Sequence, residues 1–300
     1  MKHIIITGGT GFIGKNLIEK LNQKGYTINV LSREKEFVDF AQTFWWNPSK
    51  NFIDERALEG VTDIIHLSGS NILEKPWNKR NKDRLINSRI RSIELLFNTV
   101  KKYKIKLDSF SSASAIGYYG AVTQNQIFDE NTTPQHQDFA SVLCQKWEEK
   151  ADLFSEITRV NKVRIGLALG KDGGILSRLS SQHILSPLGS GKQWFPWVSV
   201  DDVSNIFIHL LENNHAQGVF NATAPNPITN AEFTSIFAKK SGKINLPITP
   251  AFALKMILGD RSELLLNGTR ISSDKIIQTG FKFQDTDLNQ TLDKYLHSVV

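Results

Sequence analysis

The residues most able to do chemistry cluster in four places. Near the start, Thr7-Gly8-Gly9-Thr10-Gly11-Phe12-Ile13-Gly14 follows the apolar run Lys2 to Ile6. Its glycines read equally as Gly9-x-Gly11-x-x-Gly14 and Gly8-x-x-Gly11-x-x-Gly14. Glycines at such spacing allow a tight turn, let backbone N–H groups approach a diphosphate, and let helix pack closely on strand. A helix opening at the last glycine adds its dipole to that anion site. Farther on, Ser112 and Ser114 precede Tyr118 and Tyr119, hydroxyls suited to acid/base work on an alcohol or carbonyl. Arg89 shares a helical stripe with Leu85, Ile93 and Leu96, so its guanidinium either snorkels to water or enters a cleft and meets an oxygen there. Arg33, directly after the strand ending Leu31-Ser32, suits bidentate contact with a phosphate.

These groups need elements to hold them. The run before the glycines reads as a short buried strand, and Phe12, Ile13, Leu17, Ile18 and Leu21 mark the helix after it. That strand–turn–helix context identifies the glycines as a dinucleotide-binding turn. Strand patterns at Thr27 to Leu31, Thr43 to Trp46, Asp63 to Leu67, Leu107 to Ser112 and Thr158 to Gly166 alternate with helices, one of them at about Lys79 to Lys102 and another at Phe139 to Phe154. Such alternation predicts an α/β fold: a Rossmann-like doubly wound parallel sheet covered on both faces. Beyond Gly170 the alternation breaks down. Asp201 or Asp202 is expected to cap a helix carrying Val203, Ile206, Phe207 and Leu210. Prolines then punctuate short helices that read as a smaller C-terminal substrate lobe. The expected division is 1–170 plus 195–224 for the dinucleotide domain and 171–194 plus 225–300 for the lobe. Trp194-Phe195-Pro196-Trp197 is expected to line the cleft between them.

Composition narrows the classes. The chain has 300 residues, 40% apolar and 22% charged, which is ordinary for a globular protein. No apolar run is as long as a membrane span, and the first strand begins almost at Met1, so neither a membrane nor a signal peptide is expected and a cytoplasmic location is. Cys144 stands alone, which excludes an internal disulfide and a thiolate metal cluster; the seven histidines lack metal-ligand spacing, so no metal is expected. Cys144 itself reads as a small buried hydrophobe. The net charge of +6 comes largely from the basic residues of the long helix, without interleaved aromatics. A solvated helix face explains them, and nucleic acid is not an expected partner.

The cofactor reading turns on the end of the second strand, where an acidic residue would bond the adenine ribose hydroxyls and an arginine would suit a 2′-phosphate. Here Ser32-Arg33 stands at the end, which favours NADP, while Glu34 one residue later is the argument for NAD; NADP is the expected cofactor.

The turn at Thr7 to Gly14, His66-Leu67-Ser68-Gly69, the stretch Ser111 to Gly120 and Val200-Asp201-Asp202-Val203 together resemble the extended short-chain dehydrogenases/reductases of the NAD-dependent epimerase/dehydratase type. Gly117-Tyr118-Tyr119-Gly120, Leu143-Cys144-x-x-Trp147-Glu148, Asp172 to Leu176 and Leu264 to Arg270 are similar, more narrowly, to the "epimerase family protein" branch, which has its own small C-terminal domain. The resemblance implies cofactor contacts at Gly8, Gly11, Phe12, Ile13, Gly14, Ser32, Arg33, Leu67, Ser68, Gly69 and Ser112. It also implies pairing into a homodimer through the long helix. Ordinary members use a Tyr-x-x-x-Lys dyad, and residues four apart share a helix face. None of the five tyrosines here has a lysine four residues on; Ala140 and Cys144 take those places, and Arg89 takes that of a supporting asparagine. Two expectations stay open. One is an NADP-dependent oxidoreductase or epimerase-like enzyme using Ser114, Tyr118, Tyr119 and Arg89 on a small hydroxyl- or carbonyl-bearing substrate. The other is a catalytically inactive NADPH-binding sensor.

Overall fold

Ile4, Ile5 and Ile6 are wholly buried in the first strand, β1 (His3–Thr7). Such an unbroken apolar run is what a strand covered on both faces requires, and burial of each isoleucine contributes about 1.5–3 kcal/mol. The structure, a computed structural model, describes residues 2–34 and 36–296. After β1 come α1 (Phe12–Gln23), β2 (Thr27–Ser32), β3 (Gln42–Asn47), β4 (Phe52–Ile53), β5 (Asp63–His66), α2 (Lys79–Lys102), β6 (Ser109–Ala115), β7 (Ile127–Phe128), α3 (Phe139–Ala151) and β8 (Arg159–Ile165). The chain continues through β9 (Leu167–Gly170), α4 (Gly174–Ser180), β10 (Ile184–Leu185), β11 (Trp194–Phe195), β12 (Trp197–Ser199), α5 (Val200–Glu212), β13 (Gly218–Ala222), β14 (Ile228–Thr229), α6 (Asn230–Ser241) and β15 (Ile244–Asn245).

Among the described residues one sheet has eight strands, in the order β13-β8-β6-β5-β1-β2-β3-β4. Every neighbouring pair is parallel except β3 with β4. Helix α1 packs against α5, and α2 against α3. This is the doubly wound α/β arrangement that the alternation predicts. Strand order reverses at β1: β2 lies on one side and β5 on the other. Thr7 and His66, register partners at the carboxyl ends of β1 and β5, mark that switch point, where ligands of open parallel sheets bind.

A second core gathers Leu176, Leu185, Phe195, Trp197, Phe233, Phe237 and Leu292. It is built around α4, α6 and the short pairs β9–β12, β10–β15 and β11–β14. Ile276 and Phe281, late in the chain, pack instead into the core of the large sheet. The expectation for α5 is corrected at its cap. Ser199, not Asp201 or Asp202, caps it, its Oγ accepting the Asp202 N–H at 3.0 Å. The Asp202 carboxylate is used elsewhere: it accepts the N–H groups of Gln284 and Asp285, each at 2.9 Å, and so ties the C-terminal segment to α5.

Candidate functional site

The turn between β1 and α1 leaves no room for a Cβ at Gly8, Gly9 or Gly14, and at Gly8 and Gly14 the obstacle is backbone. Gly8 has φ +73°, and a Cβ there would lie 2.9 Å from the Leu67 carbonyl carbon. A Cβ on Gly14 would lie 2.3 Å from the Gly8 carbonyl oxygen. Gly11 differs. Its φ is an ordinary −81°, and an added Cβ would meet only the Gly8 oxygen, at 3.2 Å. Gly8 and Gly14 thus shape the turn, and Gly11 keeps the space in front of it clear. Helix α1 begins with no side-chain cap, which leaves its first-turn N–H groups for an anion.

In front of the turn lies a groove of about 440 Å³, lined by Gly8, Gly11, Ser32, Arg33, Leu67, Ser68 and Gly69. These seven predicted contacts come together. The clear space before Gly11 and the uncapped start of α1 suit a diphosphate, and Arg33, Glu34, Glu36, Trp46, Pro48 and Ser49 line the same groove. Four other predicted contacts do not line the groove. Gly14 stands behind the turn, Ile13 packs against the core of the large sheet, and the Phe12 ring lies against Gly173 and Gly170, where added Cβ atoms would come within 2.5 and 2.7 Å of it. Ser112 is buried, its Oγ donating to the Ala113 carbonyl at 3.0 Å and lying 3.5 Å from His66 Nδ1.

Most basic residues of the long helix, Lys79, Arg80, Lys101 and Lys102 among them, are exposed as expected, but Arg84 and Arg91 also line the groove. Arg84, Asn87, Ser88, Arg91 and Ser92, at spacings of three and four, turn one side of α2 toward the groove. Arg89 does not line the groove; it is only 8% exposed and lies beneath the loop after β5. Its Nη1 donates to the Leu85 carbonyl at 3.0 Å and its Nη2 to the Ser70 carbonyl at 3.2 Å. Its guanidinium carbon lies 4.7 Å from the Trp147 ring centre. Burial pulls Arg89 down to about 10. Beside it His66, bonded through Nε2 to Ser92 Oγ at 2.8 Å, is held at about 3 by burial and by the Arg89 charge. Nothing in the sequence alone marks His66 for this buried position beside Arg89.

A second cavity, about 600 Å³, opens past the carboxyl end of β6. Its walls are mostly apolar: Ile72, Leu73, Ile116, Leu167, Ile175, Leu264 and Leu265, with Trp194 and Pro196 from the lobe. Phe195 and Trp197, expected here, are instead buried in the lobe core. Ala140 and Cys144 both line this cleft from α3, facing Gly117: a Cβ on Gly117 would lie 3.4 Å from the Ala140 Cβ and 3.7 Å from Cys144 Sγ. They occupy the helix face on which the dyad would act. Burial, reinforced by Glu148, pushes the Cys144 thiol up to about 12, so it stays protonated. Asp138, also in the wall, is engaged by the Ala121 N–H at 2.6 Å and the Ser141 N–H at 3.0 Å.

The expected catalytic hydroxyls do not face this cleft. Tyr119 is fully buried, its hydroxyl shared between the Asp129 carbonyl at 2.9 Å and Asn221 Oδ1 at 2.8 Å while accepting from Arg164 Nη1 at 3.1 Å. Burial raises it to about 12. The Tyr118 ring is covered by Arg164, whose guanidinium carbon lies 3.4 Å from the ring centre. Ser114 donates to Glu148 Oε1 at 2.6 Å, and Arg164 clamps the same carboxylate at 2.8 and 2.9 Å. The Ser114 and Tyr119 hydroxyls therefore serve a buried ion pair, the Tyr118 ring packs on its guanidinium, and the polar contacts of Arg89 include neither phenol. At the strand end the cleft meets Ala115, Ile116 and Gly117.

A doubly wound sheet with a glycine turn at its switch point and a lobe over its carboxyl edge defines a nucleotide-binding α/β protein of the extended dehydrogenase/reductase kind. Residues 4–223 match the NAD dependent epimerase/dehydratase family, and residues 249–294 match a domain of unknown function, DUF1731. The chain belongs to the NAD dependent epimerase/dehydratase family. It is 33% identical over 297 residues to the chloroplastic epimerase family protein SDR39U1 homolog of Arabidopsis thaliana, covering 94% of this chain and 83% of that protein. To human epimerase family protein SDR39U1 it is 30% identical, covering 96% and 98%. A crystal structure of the human protein with NADPH superposes with a TM-score of 0.88 at 28% identity, covering 99% of this chain and all of that one. No helix among the described residues is long and apolar enough to cross a membrane.

Proposed function

We propose that this protein binds NADP(H) in the groove and offers it to a small hydroxyl- or carbonyl-bearing molecule with an apolar body in the cleft, as an oxidoreductase or epimerase-like enzyme. The observation that carries this reading is one loop. Leu67 to Ser70 line the groove and Asn71 to Leu73 line the cleft, so the two cavities adjoin along seven consecutive residues. Gly8 and Gly11, with the first-turn N–H groups of α1, hold the diphosphate. Ser32 and Arg33 take the 2′-phosphate; NADPH in the human structure supports that choice. When bound, the cofactor supplies a hydride at its nicotinamide ring.

The chain's own part is to bind, orient and exclude water. Apolar walls dehydrate the reacting carbon, and the Cys144 thiol and Ala140 methyl supply neither the proton nor the charge of the missing dyad. A proton for the reacting oxygen therefore comes from outside that helix face, from water at the cleft mouth or from a titratable wall residue such as Glu263. The same absence favours a second reading, a protein that senses NADPH without turnover.

Calorimetric titration with NADPH and NADH, followed by a screen of aldehydes, ketones and quinones for NADPH oxidation, tests both. Tight NADPH binding with turnover of any carbonyl supports the enzyme, and tight binding without turnover across the screen supports the sensor. Arg33→Ala should weaken NADPH about ten- to a hundredfold and leave NADH nearly unchanged, as loss of a charge-assisted contact of about 1.5–3 kcal/mol requires. Equal loss for both cofactors would remove Arg33 from the phosphate site.

A further inference from the structure

Arg89 is a cation without an anion. Its side chain is more than nine-tenths buried, and among the described residues no carboxylate pairs with it. Its partners are two backbone carbonyls, Ser88 Oγ at 3.4 Å and the face of Trp147, and its Nε has no hydrogen-bond partner. Burying an unpaired charge is costly, and buried cations are normally matched by carboxylates, as Arg164 is by Glu148. The mismatch has a location. A Cβ on Gly69 would come within 2.9 Å of the Arg89 guanidinium carbon. Gly69, Ser70 and Ser88, all in contact with that guanidinium, line the groove. The charge is thus held directly beneath the loop that faces the dinucleotide.

We propose that the counter-anion of Arg89 is the diphosphate of the bound dinucleotide, acting across Gly69. This rests on the reading of the groove as a dinucleotide site. It assigns Arg89 to cofactor binding rather than to the tuning of a phenol, since both candidate phenols contact Arg164 instead. The arginine is kept at a cost in the free protein, and that cost is recovered when the anion arrives. An arginine that merely braced the fold would behave oppositely, because its removal would weaken the free protein.

The test compares wild type with Arg89→Met and Arg89→Lys by thermal melting without ligand and by NADPH titration at low and moderate salt. Arg89→Met is expected to melt no lower than wild type without ligand, to bind NADPH at least about tenfold more weakly, and to show a shallower salt dependence of binding. Arg89→Lys, which keeps the charge, is expected to retain most of the affinity and the wild-type salt dependence. Unchanged NADPH affinity in Arg89→Met overturns the proposal. So does an Arg89→Met chain that melts lower or does not fold, and so does an Arg89→Lys chain that folds but binds with a shallower salt dependence. Failure of the wild type to bind NADPH would instead overturn the reading of the groove itself.

Discussion

A Cβ built on Gly14 falls 2.3 Å from the carbonyl oxygen of Gly8, well inside any contact a real side chain makes. Gly11, three residues earlier, has almost nothing in front of it. The two glycines therefore fail differently. Gly14→Ala should push α1 off β1 and cost about 1–3 kcal/mol in urea unfolding, the usual cost of overpacking. Gly11→Val should leave the melting temperature nearly unchanged and abolish NADPH binding in a calorimetric titration, because its side chain fills the groove. Retained binding in Gly11→Val would move the diphosphate elsewhere.

That contrast is partly legible in the sequence. The spacing of Gly8, Gly11 and Gly14 after an apolar strand predicts the turn and its ligand, because local geometry fixes both. The helix Lys79–Lys102 is likewise written in its apolar period. The tertiary surroundings of Tyr118, Tyr119 and Ser114 are not, since they depend on Glu148 and Arg164, which arrive from another helix and another strand. Nor does the sequence separate Arg84 and Arg91, on the groove side of α2, from lysines in water on the same helix. A stripe of Arg84, Ser88, Arg91 and Ser92 at spacings of three and four is the available signal, and its short polar members set it apart from the other basic positions.

Tyr119 is expected to matter for stability and not for chemistry. Tyr119→Phe removes a hydroxyl on which Arg164, Asn221 and the Asp129 carbonyl all converge, leaving buried polar groups unmatched. The loss should be about 1–3 kcal/mol in chemical denaturation. NADPH affinity, and the rate of any NADPH-dependent turnover found by screening, should stay within about twofold of wild type. A fall of about a hundredfold in kcat, the usual scale of lost general acid–base participation, would return the phenol to the active site.

His66 should make the fold sensitive to mild acid. In the native protein it is held at about 3, chiefly by burial and next by the Arg89 charge, against an ordinary value of 6.5. Between those two values the unfolded chain binds a proton that the folded chain refuses, so unfolding is favoured as pH falls. The contribution of a neutral His66 is complete above pH 6.5 and declines steadily as pH drops toward 3, by up to about 1.4 kcal/mol per pH unit. Urea unfolding measured from pH 7 down to pH 4.5 should show this slope in wild type. His66→Gln cannot take up the proton, so it should be less stable at pH 7 yet lose less stability on acidification, and the two curves should converge. Parallel curves across that range would mean that His66 titrates alike in the folded and unfolded chains, with neither burial nor the Arg89 charge holding it down.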